Sequence, residues 1–172
     1  MEFSDLIRTR ESIRNYDPER PVPEEVLKRI LDAGRLAPSA CNNQPSRFIL
    51  VSSPSMLEKV RLCYHRDWFR DAPHVLIVLG RKNEAWNRGF DGYNSVETDA
   101  AIAMTHLILA AENEGVATCW IANFNPELLR QVLNTGRDQI LFGITPLGYP
   151  KSGFMKAGNK KRKTLGEVAE FI

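Results

Sequence analysis

Residues 95–114, SVETDAAIAMTHLILAAENE, constrain the fold more than any other stretch of the chain. Ala100, Ala101, Met104, Leu107, Ile108 and Ala111 recur at three- and four-residue steps, the spacing of one helix face. The small residues among them permit close packing, and Gly115 is placed to end the helix. A helix this apolar has to be covered on more than one side, so a homodimer interface is among its expected covers.

Four apolar runs accompany it: RFILVS (47–52), HVLIVLG (74–80), VATCWI (116–121) and QILFGITPL (139–147) read as strands. Ser4 is placed to cap a first helix through Asp5, Leu6, Ile7 and Arg10. The Pro21-Val22-Pro23 corner opens a second helix. Glu24 and Glu25 complement its dipole, Val26, Leu27, Ile30, Leu31 and Ala33 form its apolar face, and Pro38 stops it. Ser53-Pro54 starts a third, with Leu57, Val60 and Tyr64 on one face, and Asn125-Pro126 starts a fourth through Leu128, Leu129 and Val132. Thr164 with Glu167 fits a capping box for a last short helix. Helices and strands alternate irregularly, which predicts an α+β layer structure rather than a regular doubly wound fold. At 172 residues the chain is expected to form a single domain, residues 1–172.

Several function classes drop out. No run of about 18 apolar residues exists, so no membrane partner is expected. The start, MEFSDLIRTRES, carries acids in its first five residues and no apolar signal core. Cys41, Cys63 and Cys119 are odd in number and widely spaced, without a C-x-x-C pair, which predicts reduced thiols in a cytoplasmic protein. With three His and no Cys/His cluster, no metal site is expected. His65, His74 and His106 read as structural, and Cys41 as a small buried residue rather than a nucleophile.

The charge is uneven. Lys156, Lys160, Lys161, Arg162 and Lys163 contribute five positive charges to a net of +2, so the remainder of the chain stands at −3. One basic cluster on an acidic body suits a small anion site or a solvated tail. It does not suit a nucleic-acid partner, which needs a broader basic surface.

Three segments could carry chemistry. In Arg10-Glu11-Ser12-Ile13-Arg14, an extended backbone puts Arg10, Ser12 and Arg14 on one side, two guanidinium forks flanking a hydroxyl. The alternative is surface arginines paired with Glu11 or Asp17. The stretch APSACNNQPS (37–46) concentrates Ser39, Asn42, Gln44 and two prolines, more polar groups and rigid corners than a turn needs, and hints at a polar ligand. Lys160 and Arg162 precede the helix start at Thr164, which would hold them on ordered structure rather than in a free tail. A phosphate dianion needs roughly two cations plus neutral donors, and Arg10, Ser12, Lys160 and Arg162 could supply that set between them. No Gly-rich dinucleotide turn or P-loop is present to do the job.

Taken together these segments resemble the nitroreductase family. RTRESIRNYD and PVPEEVLKRILDAGRLAPSACNNQPSRFILV resemble its opening, AENEGVATCWIANF its A-x-x-x-G-x-x-T-x-W-I segment, and LGYP with KKRKTLGEV its close. The resemblance runs from about residue 6 to 169. It implies an α+β fold with a central mixed or antiparallel sheet flanked by helices. It also implies a homodimer with FMN at its interface, reduced by NAD(P)H and reoxidised by a small electrophilic acceptor such as a nitroaromatic or a quinone.

Under that resemblance Arg10, Ser12, Lys160 and Arg162 hold the FMN phosphate, and Arg14 lies near the pyrimidine edge of the ring. Ser39, Asn42 and Gln44 contact the cofactor, part of them from the second subunit. Ala122 and Asn123, after Ile121, present backbone N–H groups to the hydride-accepting nitrogen. No protein group is expected to be catalytic, because the flavin carries the chemistry.

The chain departs from the family pattern at Ser46, where an aromatic commonly follows Q-P, and at Asn123, where a Gly often stands. Its 65–95 region is compact, and Trp68, Phe69, Trp86 and Tyr93 there either line a pocket or pack. Trp120 and Ile121 are expected in the core. Other readings are a same-fold flavin enzyme of different chemistry, such as reductive dehalogenation or flavin destruction, and a non-enzymatic flavin-binding protein.

Overall fold

Residues His74–Arg81 (β2) form the spine of the molecule, because both faces of this strand are covered and seven of its eight residues are buried. The computed structural model describes all 172 residues. The other strands are Ser46–Val51 (β1), Ala117–Thr118 (β3) and Gln139–Gly148 (β4), ordered β1-β2-β4-β3. Every named pairing is antiparallel, with β1 in continuous register on β2 from Ser46↔Gly80 to Val51↔Val75. A bulge between Val78 and Leu79 shifts the register of β2 on β4. The one parallel contact is an isolated bridge from Ser12 to Thr118.

Period-two alternation in β2 divides the core. Val75, Ile77 and Leu79 point to one layer, with Leu57 and Val60 of Pro54–Arg61 (α3), Leu129 of Pro126–Leu133 (α6), and Phe69. Leu76 and Val78 point to the other, against Leu27 and Ile30 of Glu24–Arg35 (α2) and Met104, Leu107 and Ala111 of Val96–Asn113 (α5). Gly34 lets α2 approach α5 closely, since a Cβ there would fall 2.7 Å from the Leu107 side chain. A third cluster of Ile13, Tyr16, Ala72 and Ala117, flanked by Trp68 and Phe154, ties the N-terminal arm to the sheet end.

The structure corrects several expectations. The first helix, Phe3–Thr9 (α1), starts at Phe3 with Glu2 as its N-cap and no side-chain cap, so Ser4 lies inside it. The run 116–121 is a strand only at Ala117–Thr118, with a lone bridge from Ile121 to Ile144 further on. It lies at the sheet edge, paired along β4 on one side and touched on the other only by the isolated bridge from Ser12. α3 ends at Arg61, so Tyr64 lies beyond it, and a four-residue helix at Asp67–Arg70 (α4) went unanticipated. The capping box of Thr164 and Glu167 forms, but it caps a single 3-10 turn, Leu165–Glu167.

Candidate functional site

After α1 the chain is extended, and Ser12 bridges to Thr118 with the Ile13 amide donating to the Thr118 carbonyl at 2.8 Å. That bridge sets the alternation: Ile13 is buried, while Arg10, Ser12 and Arg14 reach outward. The C-terminal tail is stitched along the same arm. Lys151 N donates to Asn15 Oδ1 at 2.9 Å, and Glu11 accepts the amides of Ala157 and Gly158 at 3.2 and 2.8 Å. Lys156 pairs with the buried carboxylate of Glu112 on α5.

These ties bring Lys160 onto the arm, where its ammonium donates to the carbonyl oxygens of Arg10 at 2.7 Å and Ile7 at 3.4 Å. Partial desolvation, then the nearby Arg10 and Arg162 guanidinium groups, lower the Lys160 pKa below that of an ordinary lysine. The two basic segments, about 150 residues apart in sequence, thus meet. The alternative of surface ion pairs fails: Glu11 is engaged by the tail, and Asp17 accepts the amide of Glu19. Arg10, Arg14, Lys160 and Arg162 form no salt bridge with a carboxylate. Arg14 lies 5.9 Å from the centroid of the Trp68 ring. Like charges gathered without a directly paired carboxylate are suited to holding an anion.

The segment 119–123 passes beside this cluster. Burial raises the Cys119 thiol pKa, and Arg14, Ser12 and Arg10 partly offset that rise. Ile121 is buried as expected, whereas Trp120 is 37% exposed and packs at a tilt on Phe142. Ala122 and Asn123 are exposed, and their amides have no acceptor within the chain. They are free to donate outward.

Ser39, Asn42 and Gln44 lie elsewhere. α2 runs out at Arg35, and a 3-10 turn at Ala40–Asn42 follows. Cys41, Asn42 and Gln44 all have positive φ, at 51°, 55° and 52°. Left-handed backbone costs on the order of 1 kcal/mol for residues other than glycine, less for Asn, so three such residues in four need external support. Ser39 Oγ accepts the Gln44 amide at 2.9 Å, and Arg47 donates to the Gln44 carbonyl at 2.9 Å. Cys41 is exposed, contrary to expectation, because the left-handed turn carries its side chain away from the core.

This loop borders a cavity of about 470 Å³ between α2, β1 and α5, which Ser39, Gln44, Arg47, Phe48, Asp99 and Ala103 help to line. The loop meets α5 at Asp99, whereas the arm and tail meet it at Glu112. Thirteen residues of helix separate those anchors by ~20 Å at 1.5 Å per residue. The two candidate ligand sets are therefore anchored at opposite ends of α5.

The 65–95 region divides. Trp68 and Phe69 pack among Tyr16 and Tyr64, so they belong to the core rather than to a pocket. Trp86 and Tyr93 belong to a tight hairpin closed by an Asn87–Asn94 bridge and a bidentate Arg88–Asp91 pair, and Phe90 stands fully exposed at its tip. His74 is structural, as expected: Nε2 accepts the Val22 amide at 3.1 Å and Nδ1 faces Ser52 Oγ at 2.7 Å. Sequence reasoning missed Asp99, whose signal was an acid inside the apolar run of the long helix.

Comparison with known proteins identifies the family and the fold. The family model described as "Nitroreductase family" matches residues 7–62 and 54–149. A Methanothermobacter thermautotrophicus protein bearing the name NADH dehydrogenase/NAD(P)H nitroreductase is 34% identical, over 87% of this chain and 78% of that protein. Rat iodotyrosine deiodinase 1 is 27% identical, over 97% of this chain and 68% of its own length. Among solved structures, a nitroreductase family protein of Clostridium difficile superposes with a TM-score of 0.90 at 31% identity, covering 99% of this chain and 98% of that one. A Desulfovibrio desulfuricans protein crystallised in complex with FMN gives a TM-score of 0.80 at 25% identity, covering 98% and 96%. With its α+β antiparallel sheet and these matches along its length, the chain belongs to the nitroreductase family.

Proposed function

We propose that this chain, as one nitroreductase-like domain over residues 1–172, forms a homodimeric, FMN-dependent oxidoreductase of the cytoplasm. It would use NAD(P)H to reduce nitroaromatic, quinone or similar electrophilic small molecules. The observation that carries the reading is the group of four cations without counter-ions, drawn from both ends of the chain onto one arm. The donor set fits FMN: cations and the Ser12 hydroxyl for a phosphate, free amides and Arg14 for a ring. Buried free Cys63 and Cys119 suit a reducing compartment, and no helix is long and apolar enough to cross a membrane.

The residues divide the work. Arg10, Ser12, Lys160 and Arg162 bind the phosphate, where charge-assisted hydrogen bonds are strongest. Arg14 places a fixed positive charge beside the pyrimidine edge, so negative charge gained on reduction is stabilised without reorganisation. The free amides of Ala122 and Asn123 donate to the ring nitrogen that receives hydride. Ser39, Asn42 and Gln44 complete the site from the second subunit, a division supported by the ~20 Å between the two sets along α5. When bound, FMN would supply the redox chemistry between a nicotinamide and an acceptor, so no protein nucleophile is required.

The test is anaerobic titration of the purified yellow protein with NADH and with NADPH, followed by an acceptor panel. Bleaching by either nucleotide and recovery with a nitroaromatic or quinone is expected. Yellow protein that neither nucleotide reduces would leave a flavin-binding protein without this activity. The deiodinase relative favours one second reading, reductive dehalogenation on the same flavin, so a halogenated tyrosine belongs in the panel.

A further inference from the structure

We infer that Asp99 is a positioning residue that holds the Ser39–Gln44 loop in its cofactor-binding shape, an inference that rests on the proposed role of that loop. Asp99 lies in the first turn of α5, 2% exposed, at the wall of the cavity beside the loop. Its Oδ1 accepts the Ala40 amide at 2.9 Å and its Oδ2 accepts the Ser95 hydroxyl at 2.7 Å. No cation pairs with it, so an ion pair is not what places a carboxylate in this buried spot.

Its acceptor-only chemistry sets the direction of a longer chain of hydrogen bonds. Because Asp99 cannot donate, Ser95 must donate to it, which leaves the Ser95 oxygen to accept the Trp86 amide at 3.2 Å. Trp86 therefore donates to Ser95 and Ser95 to Asp99, which also accepts from Ala40, so the 86–94 hairpin, the start of α5 and the loop are tied at one carboxylate. Ala40 directly precedes left-handed Cys41 and Asn42, so Asp99 fixes the near end of the strained segment. Arg47, itself held by Glu84 at 2.7 Å, fixes the far end through the Gln44 carbonyl. Asn42 hangs between these two anchors, with Ser39 just before the first and Gln44 at the second, so the anchors supply the preorganisation that strain would otherwise undo.

The test compares wild-type holoprotein with Asp99→Asn and Asp99→Ala in three measurements. These are FMN release on dilution, the visible circular dichroism of bound flavin, and amide hydrogen exchange read peptide by peptide. Loss of a hydrogen bond to a charged group predicts FMN binding roughly tenfold weaker or more in Asp99→Ala, with Asp99→Asn intermediate. Exchange should rise at residues 40–44 with the β2 and β4 peptides unchanged, and the flavin dichroism should change, since loop shape sets the ring's surroundings. If Asp99→Ala fails to fold, Asp99→Asn still decides the matter. Wild-type release, dichroism and loop exchange in Asp99→Asn would overturn the proposal, as would exchange raised evenly over the molecule. A wild-type chain that binds no flavin would overturn the underlying reading as well, and so separates the two failures.

Discussion

The ammonium of Lys160 donates to the main-chain carbonyl of Arg10 at 2.7 Å, joining two residues 150 positions apart. The contact gathers positive charge around Arg10 instead of dispersing it. Arg10→Ala, Lys160→Ala and Arg162→Ala should each weaken FMN retention by roughly tenfold, the worth of one charge-assisted hydrogen bond. Fluorescence titration of flavin-stripped protein checks this, and the losses should shrink in high salt.

The proposed division of the flavin site between two chains has a stoichiometric consequence. A chain carrying Arg10→Ala and a chain carrying Gln44→Ala should each bind FMN poorly as homodimers. In the mixed dimer one site collects both defects and the other is intact, so flavin binding should recover to half. Sites wholly within one chain would show no recovery. Flavin content of tag-purified heterodimers makes the distinction.

Stability should fall in mild acid through His74. Burial lowers its pKa from the usual histidine value. A base with a depressed folded pKa contributes stability above its unfolded pKa of about 6.5 and loses it as pH falls through the folded pKa. The thermal midpoint should therefore drop from pH 7.5 to pH 5.5. His74→Gln, which cannot titrate, should be less stable at pH 7.5 and flatter across that window.

Gly34→Ala sets two effects against each other. Alanine improves an exposed helix by about 1 kcal/mol, but here its Cβ would fall 2.7 Å from Leu107 and 3.0 Å from the Phe48 ring. Leu107 is fully buried and has nowhere to go, and overpacking of this kind costs about 1–3 kcal/mol. A net loss of about 1 kcal/mol in urea unfolding is expected, against the gain that helix propensity alone would give.

Much of the fold was legible because periodicity reports burial. The apolar steps of 95–114 and the run HVLIVLG marked α5 and β2, the two elements on which the layers are built. Short edge features were not legible: only Ala117 and Thr118 of the run 116–121 pair in register with β4, which is a property of the assembled sheet. The meeting of Arg10 and Lys160 was inferred from charge and family resemblance, since local pattern says nothing about contacts 150 residues apart. The exposure of Cys41 was hidden for a different reason. Cys and Gln seldom adopt positive φ, and here neighbours impose it: Asp99 on Ala40 and Arg47 on Gln44. Asp99 itself resembled an ordinary first-turn acid complementing the helix dipole, and only the tertiary structure reveals its partner.

Comparing FMN with riboflavin, which has the same ring and lacks the phosphate, isolates the role of the two converging basic segments. Titrated into flavin-stripped wild-type protein at low salt, FMN should bind at least tenfold tighter, since two or more charge-assisted contacts are lost with the phosphate. That preference should collapse in the Arg10→Ala, Lys160→Ala double variant. Equal affinity of the wild-type protein for FMN and riboflavin would contradict the account.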